Sequence, residues 1–198
     1  MKVGVVDYRM GNLASVSKAL ERVGARAFVS DDKQELATSD LLVLPGVGNF
    51  TAGMANLKQF NLIDPVSEWA RDGRPLLGIC LGMQLLFDSS QEGESEGLGI
   101  LTGDVVRLAA SVKVPHMGWN SISARGSEIF EGSDGRSFYF VHSYVCRPET
   151  STVGAVTEYG DGFASGVHIG SICGVQFHPE KSSHDGLALL AKIVEVLV

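Results

Sequence analysis

The chain has 198 residues and a formal net charge of −7, and 44% of its residues are hydrophobic while 8% are aromatic. This is an ordinary globular composition, and the length suits a single domain, residues 1–198, with a sizeable hydrophobic core. A negative net charge without a clustered basic patch argues against a nucleic-acid partner, because binding phosphates requires such a patch.

Cysteine spacing and the longest apolar stretch exclude further classes of protein. The chain has an odd number of cysteines, namely Cys80, Cys146 and Cys173, and no Cys-x-x-Cys pair. This excludes a disulfide framework and a cysteine-based zinc site. The apolar stretch 75–87 is shorter than the roughly 18 residues that a membrane span needs. The acidic residue at position 7 comes too early for a secretory apolar region. We therefore expect a soluble cytoplasmic protein without a membrane partner.

The first half of the chain alternates strand-like and helix-like segments. Short aliphatic runs predict strands at 3–6, 26–29, 41–44 and 76–79. Apolar spacing predicts helices at 12–23, after residue 48 up to residue 73 with a break before Pro65, and at 81–88. Strands that alternate with helices imply right-handed crossovers and a parallel sheet that is covered on both faces.

From residue 99 onward the pattern changes to short strand-like runs separated by turn residues. The runs are at 100–108, 118–122, 138–141, 153–157, 164–168 and 171–177, and a last helix is predicted at 184–198. Because the connections resemble hairpins, the C-terminal half should add antiparallel strands. The predicted fold is therefore α/β, an open and mostly parallel twisted sheet with helices on both faces and a mixed portion in the C-terminal half.

The segment 78–82, Gly-Ile-Cys-Leu-Gly, joins a predicted strand to a predicted helix and centres on Cys80. A sharp turn of the form Gly-x-nucleophile-x-Gly exposes its middle side chain, and its glycines let strand and helix pass closely. Free N–H groups and the positive end of the helix dipole would favour the thiolate, and the N–H of Leu81 would supply half of an oxyanion hole. On this segment alone, an inert buried cysteine is an equally good interpretation.

The segment 178–180, His-Pro-Glu, follows the apolar run 172–177, so its side chains would lie at the carboxyl end of a strand, where open α/β sheets form their sites. Proline favours an extended residue before it, and residues i and i+2 of an extended segment point to the same side. Glu180 could then orient the His178 ring, which would deprotonate Cys80 and later protonate the leaving nitrogen. Taken singly, the alternative of a surface histidine in a turn is favoured.

The segment 45–48, Pro-Gly-Val-Gly, ends the strand predicted at 41–44. Two glycines there would let a peptide N–H turn towards the site as the second oxyanion donor. A flexible turn without a catalytic role is the alternative, and these four residues alone do not decide between the two.

Together these segments resemble the class I, triad-type glutamine amidotransferases in order and spacing. The resemblance rests on 45–48 (Pro-Gly-Val-Gly), 78–86 (Gly-Ile-Cys-Leu-Gly-Met-Gln-Leu-Leu) and 174–182 (Gly-Val-Gln-Phe-His-Pro-Glu-Lys-Ser). The segment 115–120 (Pro-His-Met-Gly-Trp-Asn) and the opening 7–13 narrow it to the glutaminase subunits of imidazole glycerol phosphate synthases. The likeness runs from the first strand to the last helix.

The resemblance implies hydrolysis of L-glutamine to glutamate and ammonia, and transfer of the ammonia to a cyclase subunit in a heterodimer of histidine biosynthesis. Cys80 would be the nucleophile, His178 the acid and base, and Glu180 the residue that orients it. The implied oxyanion hole comprises Gly46, Val47, Gly48 and Leu81. The implied glutamine-binding residues are Gly48, Gln84, His142, Ser143 and Tyr144. The implied residues of the partner interface are Asn12, Trp119, Asn120 and Lys181.

One position departs from the family pattern. The first loop of the family usually contains Tyr-Gly-Met-Gly-Asn, whereas this chain has Arg9 in place of the first glycine, which leaves the detailed structure of that loop open. The remaining histidines lack the spacing of a metal site such as His-Glu-x-x-His, so we expect no metal and no cofactor. These histidines are His116, His142, His168 and His184.

Three alternatives remain to be weighed. A triad glutaminase that serves pyridoxal phosphate, anthranilate or GMP synthesis is disfavoured by the segment 115–120. A cysteine hydrolase of the α/β-hydrolase type would place the acid before the histidine, whereas Glu180 follows His178. A catalytically silent binding module of the same fold is disfavoured because all three triad residues are present.

Overall fold

Fourteen strands and seven α-helices make up the fold in the computed structural model, which describes residues 1–198. The strands are β1 (Lys2–Val6), β2 (Arg26–Ser30), β3 (Leu41–Leu44), β4 (Leu76–Ile79), β5 (Phe87–Ser90), β6 (Ser95–Glu96), β7 (Leu101–Arg107), β8 (His116–Ser121), β9 (Ser123–Ala124), β10 (Ser137–His142), β11 (Tyr144–Pro148), β12 (Val153–Thr157), β13 (Phe163–Ile169) and β14 (Ile172–Val175). The helices are α1 (Leu13–Arg22), α2 (Lys33–Leu36), α3 (Phe50–Gln59), α4 (Ile63–Arg71), α5 (Leu81–Leu85), α6 (Glu128–Glu131) and α7 (Ser183–Leu197), with short 3₁₀ helices at Thr150–Thr152 and Pro179–Lys181.

The main sheet has eight strands in the order β2-β1-β3-β4-β14-β13-β12-β9. Strands β2, β1, β3, β4 and β14 run parallel to their neighbours. Strands β13, β12 and β9 continue the sheet in antiparallel pairings. The predicted α/β fold, with a parallel half and a mixed C-terminal portion, is therefore confirmed.

Side chains of the parallel strands alternate between two buried clusters, as the two-residue period of a strand requires. On β3, Leu41 and Val43 pack in the cluster that contains residues of α1 and α7. Leu42 and Leu44 pack in the cluster that contains residues of α3, α4 and α5. Both faces of the sheet are therefore covered, which is why these strands are apolar along their whole length.

Two helix boundaries show how local chemistry ends or begins a helix. Helix α1 begins after Asn12, whose side-chain oxygen accepts a hydrogen bond from Ser15 N at 3.2 Å, and this satisfies one of the free N–H groups of the first turn. The break predicted before Pro65 lies at 60–62, and Pro65 falls in the first turn of α4, where a missing N–H costs little.

Helix α5 is shorter than predicted. The sequence suggested a helix over 81–88, but α5 ends at Leu85 and the chain enters β5 at Phe87. Strand β5 pairs with β7 and β6 in a four-stranded sheet whose other edge is β11. The prediction was wrong here because this pairing overrides a short apolar run that is also compatible with a helix. No helix of the structure is both long and apolar enough to cross a membrane.

The loop between β1 and α1 explains the unusual Arg9. Arg9 has a φ of 64°, in the left-handed region that glycine adopts most easily, which accounts for the glycine of the family pattern. The Arg9 guanidinium forms ion pairs with Asp7 and with Asp31, and it lies 4.7 Å from the centre of the Phe60 ring. These contacts oppose the backbone strain, which is typically about 1–3 kcal/mol for such a residue.

Candidate active site

The predicted catalytic segments meet at the carboxyl edge of the parallel strands. Strands β3, β4 and β14 are neighbours and run in the same direction. The segment 45–48 follows β3, Cys80 follows β4, and His178 lies shortly after β14. The sheet order therefore brings together residues that are almost 100 positions apart in the sequence.

The turn from β4 into α5 holds Cys80 in a strained conformation. Cys80 has φ 53° and ψ −109°, values that a non-glycine residue rarely adopts, and its N–H donates to Val175 O at 2.7 Å. A Cβ at Gly78 would lie 2.7 Å from Met83 Cα, and a Cβ at Gly82 would overlap the Leu44 carbonyl oxygen. Only glycine fits at both positions, so the elbow interpretation of 78–82 has a steric basis.

His178 and Glu180 form a buried pair. His178 Nδ1 lies 2.8 Å from Glu180 Oε1, and the two side chains are 2% and 3% exposed. His178 Nε2 has no hydrogen-bond partner. Burial alone would lower the pKa of His178, but the nearby Cys80 thiol group and the Glu180 carboxylate together raise it to about 10. The raised pKa favours the doubly protonated ring at neutral pH.

The turn 45–48 lies against the elbow. The Leu81 N–H donates to Gly46 O at 3.3 Å, and the buried Tyr8 hydroxyl donates to Pro45 O at 2.5 Å. Burial and the neighbouring Cys80 raise the pKa of Tyr8, so the hydroxyl keeps its proton and remains a donor. Since the carbonyl of Gly46 faces Leu81, the N–H of Val47 in the same trans peptide faces the opposite way.

A cavity of about 210 Å³ adjoins Cys80. Its lining includes seven of the residues proposed from the sequence, namely Gly48, Cys80, Leu81, Gln84, His142, Ser143 and Tyr144. His178, Glu180, Gly46 and Val47 do not line it. The predicted glutamine-binding residues thus lie together beside Cys80.

Two polar residues of this region were not assigned from the sequence. Gln176 is fully buried, accepts a hydrogen bond from Gln84 Nε2 at 3.0 Å, and has its Nε2 atom 3.8 Å from Cys80 Sγ. Glu92 lines the cavity, and its Oε2 accepts from Phe50 N at the start of α3 at 2.7 Å. Gln176 lies within the segment 174–182 that was singled out, but Glu92 lies in a polar loop where no pattern distinguishes it.

Comparison with known proteins identifies the family. Residues 5–195 match the family described as "Glutamine amidotransferase class-I". The chain belongs to this family. The imidazole glycerol phosphate synthase subunit HisH of Moorella thermoacetica is 49% identical over 199 residues, covering 98% of this chain and 95% of that protein. The HisH subunit of Aquifex aeolicus is 50% identical over 195 residues, covering 96% and 94%.

Solved structures show the same class I amidotransferase fold. The structure of PurLQS from Thermotoga maritima has a TM-score of 0.77 at 21% identity and covers 100% of this chain and 99% of that chain. A crystal structure of a glutamine amidotransferase has a TM-score of 0.74 at 24% identity and covers 97% of this chain and 98% of that one. At these identities the likeness establishes the fold.

The residues that the family resemblance assigns to a partner interface lie on three separate elements. Asn12 caps α1, Lys181 ends the 3₁₀ helix after His178, and Trp119 and Asn120 lie on β8. No hydrogen bond or ion pair joins Asn12, the β8 residues and Lys181 to one another. Trp119 is 55% exposed, and its ring contacts that of Tyr139 edge to face at 6.3 Å between centroids.

Proposed function

We propose that this chain, acting as one glutamine amidotransferase domain over residues 1–198, hydrolyses L-glutamine through Cys80, His178 and Glu180 and supplies the ammonia to a cyclase subunit. The observation that carries the proposal is the buried pair of His178 and Glu180 beside a cysteine held on a strained elbow. The substrate is inferred from membership of the family, and the synthase from the identity of about half of all residues to HisH subunits over nearly the whole chain.

In the first half-reaction the Cys80 thiolate attacks the side-chain amide carbon of glutamine, and a C–S bond forms. The doubly protonated His178 ring gives its Nε2 proton to the amide nitrogen, the C–N bond breaks, and ammonia leaves. Glu180, which accepts from Nδ1, keeps the ring in the orientation that points Nε2 away from the carboxylate. The product is a thioester of Cys80 and a neutral His178.

In the second half-reaction the neutral His178 takes a proton from water. The water oxygen attacks the thioester carbon, the C–S bond breaks, and glutamate leaves, releasing its carboxyl proton to solvent, while Cys80 returns to the thiolate. The imidazolium is restored at the same time. Neither half-reaction uses a cofactor or metal, because His178 carries the proton that moves in each bond-making step.

The cavity beside Cys80 suits the polar ends of an amino acid. Glu92 lines the cavity and offers a carboxylate for an ammonium group, and its Oε2 is fixed by a hydrogen bond from Phe50 N at the start of α3. Gln84 is held through its Nε2 by Tyr144 O and Gln176 Oε1, which leaves its own oxygen free as an acceptor. Backbone N–H groups of Ser143 and Tyr144 are the candidates for the α-carboxylate.

The turn 45–48 supports a resting state of the oxyanion hole. The Leu81 N–H is occupied by Gly46 O and is not available to a substrate oxygen. Rotation of the single peptide between Gly46 and Val47 would remove that carbonyl and direct the Val47 N–H inward. One movement would thus supply both donors, each worth about 10²–10³ in kcat. We assign the cyclase subunit and its ligand the role of favouring this rotated form.

The cyclase is proposed to dock as a heterodimer on the side that carries Asn12, Trp119, Asn120 and Lys181, in the cytoplasm. Trp119 is an exposed aromatic residue of the kind enriched in interfaces, and its neighbour Met117 is 63% exposed. The ring of Tyr139 contacts Trp119, and the backbone carbonyl of Tyr139 accepts a hydrogen bond from the backbone N–H of His178 at 2.9 Å. This bond connects the proposed docking side with the triad.

The direct test is glutamine hydrolysis by the purified complex of this chain with the cyclase subunit of the same organism. We expect Cys80→Ala to abolish hydrolysis while complex formation, and synthesis with added ammonium salt, remain. Cys173→Ser is the matched control, because Cys173 is buried in β14 away from the cavity and burial raises the pKa of its thiol. Hydrolysis that survives in Cys80→Ala would refute the assignment, and activation only by a different synthase would change the partner.

A further inference from the structure

A chain of hydrogen bonds joins strand β8 to the cavity beside Cys80. His116 and His142 are directly opposite each other in the β8–β10 pairing. Asn120 Nδ2 lies 3.3 Å from His116 Nε2, His116 Nδ1 lies 3.0 Å from His142 Nε2, and His142 Nδ1 lies 2.9 Å from Tyr144 O. Neither histidine has a role in the proposed chemistry, which uses His178 alone.

The two ends of this chain fix its direction. A carbonyl oxygen only accepts, so His142 Nδ1 must carry the proton that is donated to Tyr144 O. At the other end Asn120 must present its NH₂ group to His116, because Asn120 Nδ2 also donates to Glu158 O and Asn120 Oδ1 accepts from Ser121 N. His116 Nε2 is then an acceptor. His116 Nδ1 therefore donates to His142 Nε2, and both ends require the same pair of tautomers.

Both rings are buried and neutral. His116 and His142 are 4% and 7% exposed, and His116 stacks between Tyr159 and Phe140 at 4.0 and 4.8 Å between centroids. Burial lowers the pKa of His116. Burial lowers the pKa of His142 to about 3. The hydrogen bond to Tyr144 O opposes this shift, and repulsion from His116 and His178 adds to it. A second proton on His116 would place its Nε2–H opposite the Asn120 NH₂ group, and a second proton on His142 would place its Nε2–H opposite the His116 Nδ1–H. Either arrangement brings two donors together without an acceptor.

The far end of the chain reaches a substrate-facing group. Tyr144 O accepts a second hydrogen bond, from Gln84 Nε2 at 3.0 Å, and Gln84 lines the cavity. Gln84 Nε2 also donates to Gln176 Oε1, and Gln176 Nε2 lies 3.8 Å from Cys80 Sγ. The position of the Tyr144 carbonyl therefore determines where the free oxygen of Gln84 lies.

We propose that His116 and His142 are positioning residues, a pair of fixed neutral tautomers that holds the Tyr144 carbonyl and thereby Gln84 in place for the substrate. The pair also makes the cavity dependent on Asn120, a residue of β8 that is only partly buried. Anything that reorients the Asn120 amide disturbs the wall of the cavity through the two rings. This inference rests on the proposed function, because the cavity is the proposed glutamine site.

Two substitutions at one position separate the hydrogen bond from packing. His116→Phe keeps a ring between Tyr159 and Phe140 but leaves His142 Nε2 without a donor. His116→Asn keeps a donor near the place of Nδ1 but loses the stacked ring. In the complex with the cyclase subunit we expect His116→Phe to raise KM for glutamine about tenfold with kcat within about twofold, as for the loss of buried positioning bonds. His116→Asn should keep KM near that of the parent chain although its melting temperature falls.

Equal KM values for the two variants and the parent, or KM changes that follow thermal stability, would overturn the proposal. A parent complex that does not hydrolyse glutamine would instead overturn the proposed function, so the two failures are distinguishable.

A surface substitution covers the case in which a His116 variant does not fold. Asn120→Asp places a carboxylate where the NH₂ group was, so the side chain can no longer donate to His116 Nε2 or to Glu158 O. His116 Nε2 must then carry a proton, either in the other neutral tautomer or in a doubly protonated ring. Nitrogen-15 NMR of the full chain at pH 7 should show Nδ1-protonated neutral rings for His116 and His142 in the parent and a changed state in Asn120→Asp. The KM for the basal glutaminase of the isolated chain should rise as well, and impaired docking of the cyclase cannot contribute to that value. Ser121→Asp, an exposed neighbour on the same strand, adds the same charge without touching the rings and should leave both unchanged. A changed tautomer without a changed KM would refute the positioning role.

Discussion

The turns that follow the neighbouring strands β3 and β4 differ in how tightly they are held. In the elbow after β4, a Cβ at Gly78 or Gly82 would meet backbone atoms, and the backbone of Cys80 is bonded to β14. In the turn 45–48 after β3, Gly46 is packed against Tyr8 and Leu81, but the second half of the turn is open, since Val47 is 38% exposed and a Cβ at Gly48 would meet only the flexible end of Met10 at 3.0 Å. The turn 45–48 is bonded to the elbow by the long contact from Leu81 N to Gly46 O.

We infer that this difference places the reacting groups, Cys80 and His178, and the element that would regulate them, the turn 45–48, on separate parts of the structure. The proposed nucleophile and base are buried and closely packed, whereas one proposed oxyanion donor, the Val47 N–H, lies on a turn that a modest backbone rotation would rearrange. Placing the adjustable group on the weakly held turn allows activity to change without moving Cys80 or His178. The four substitutions below test this separation.

The largest effect is expected for Gly82→Ala in the elbow. The added Cβ would overlap the Leu44 carbonyl oxygen, which belongs to a buried strand and cannot move away cheaply. We expect a loss of about 3 kcal/mol in the free energy of unfolding, measured by urea titration, or failure to obtain folded protein. Stability near that of the parent chain would show that the elbow is less tightly packed than we infer.

Glu180→Gln should leave the elbow intact and impair the chemistry. A neutral amide still accepts from His178 Nδ1 but no longer stabilises the imidazolium, so kcat should fall at least about tenfold while KM changes little. Since Glu180 contributes to raising the pKa of His178 to about 10, the doubly protonated ring of the parent is lost only as pH rises through that value. The alkaline fall of kcat should therefore move to lower pH in the variant. A raised KM with unchanged kcat would instead assign Glu180 to substrate binding.

Gly48→Ala makes the same substitution in the weakly held turn and is the counterpart of Gly82→Ala. Gly48 has a φ of 118°, so alanine should cost only about 1–2 kcal/mol of stability through backbone strain. Because the turn loses freedom to rearrange, we expect glutaminase activity stimulated by the partner to fall about tenfold and the basal rate to change far less. Equal losses in both rates would argue against a switch in this turn.

The smallest effect is expected for Tyr8→Phe, which removes the hydrogen bond to Pro45 O while keeping the buried ring. With one restraint on the resting turn lost, we expect the basal rate of the isolated chain to rise about two- to threefold and the stimulated rate to stay unchanged. The free energy of unfolding should fall by about 1 kcal/mol. A basal rate that falls would mean that Tyr8 holds the active form of the turn.

The parallel half of the fold could be predicted from the sequence because its strands and turns are determined by residues that are close together in the chain. Aliphatic runs such as 41–44 gave the strands, and the glycines at 78 and 82 gave the elbow, since both depend on residues near one another in the chain. The contact between His178 and Glu180 was predicted from an extended segment, and the structure has the two side chains 2.8 Å apart. The extended form was wrong beyond His178, because Pro179–Lys181 form a 3₁₀ helix that keeps Glu180 beside the ring.

The remainder depends on contacts between distant segments. The sequence predicts a helix where β5 begins, because the pairing of β5 with β7 leaves no local pattern in the sequence. Glu92 joins the cavity only through its bond to Phe50, and the link between His116 and His142 exists only because β8 and β10 pair in one register. The occupied Leu81 N–H could not be foreseen either, since it depends on the orientation of a single peptide in another loop.

Arg9 makes the first loop responsive to ionic strength. A Cβ at Gly11, two residues after Arg9, would lie 3.2 Å from Gly46 Cα, so this loop packs directly against the turn 45–48. The Arg9 and Asp31 side chains are 51% and 43% exposed and that of Asp7 is 17% exposed, and salt weakens ion pairs that reach the surface. We expect salt to weaken the contacts that oppose the strained backbone of this loop, contacts that a relative with glycine at the same position does not need. The rest position of the Gly46 turn should then depend on ionic strength in this chain.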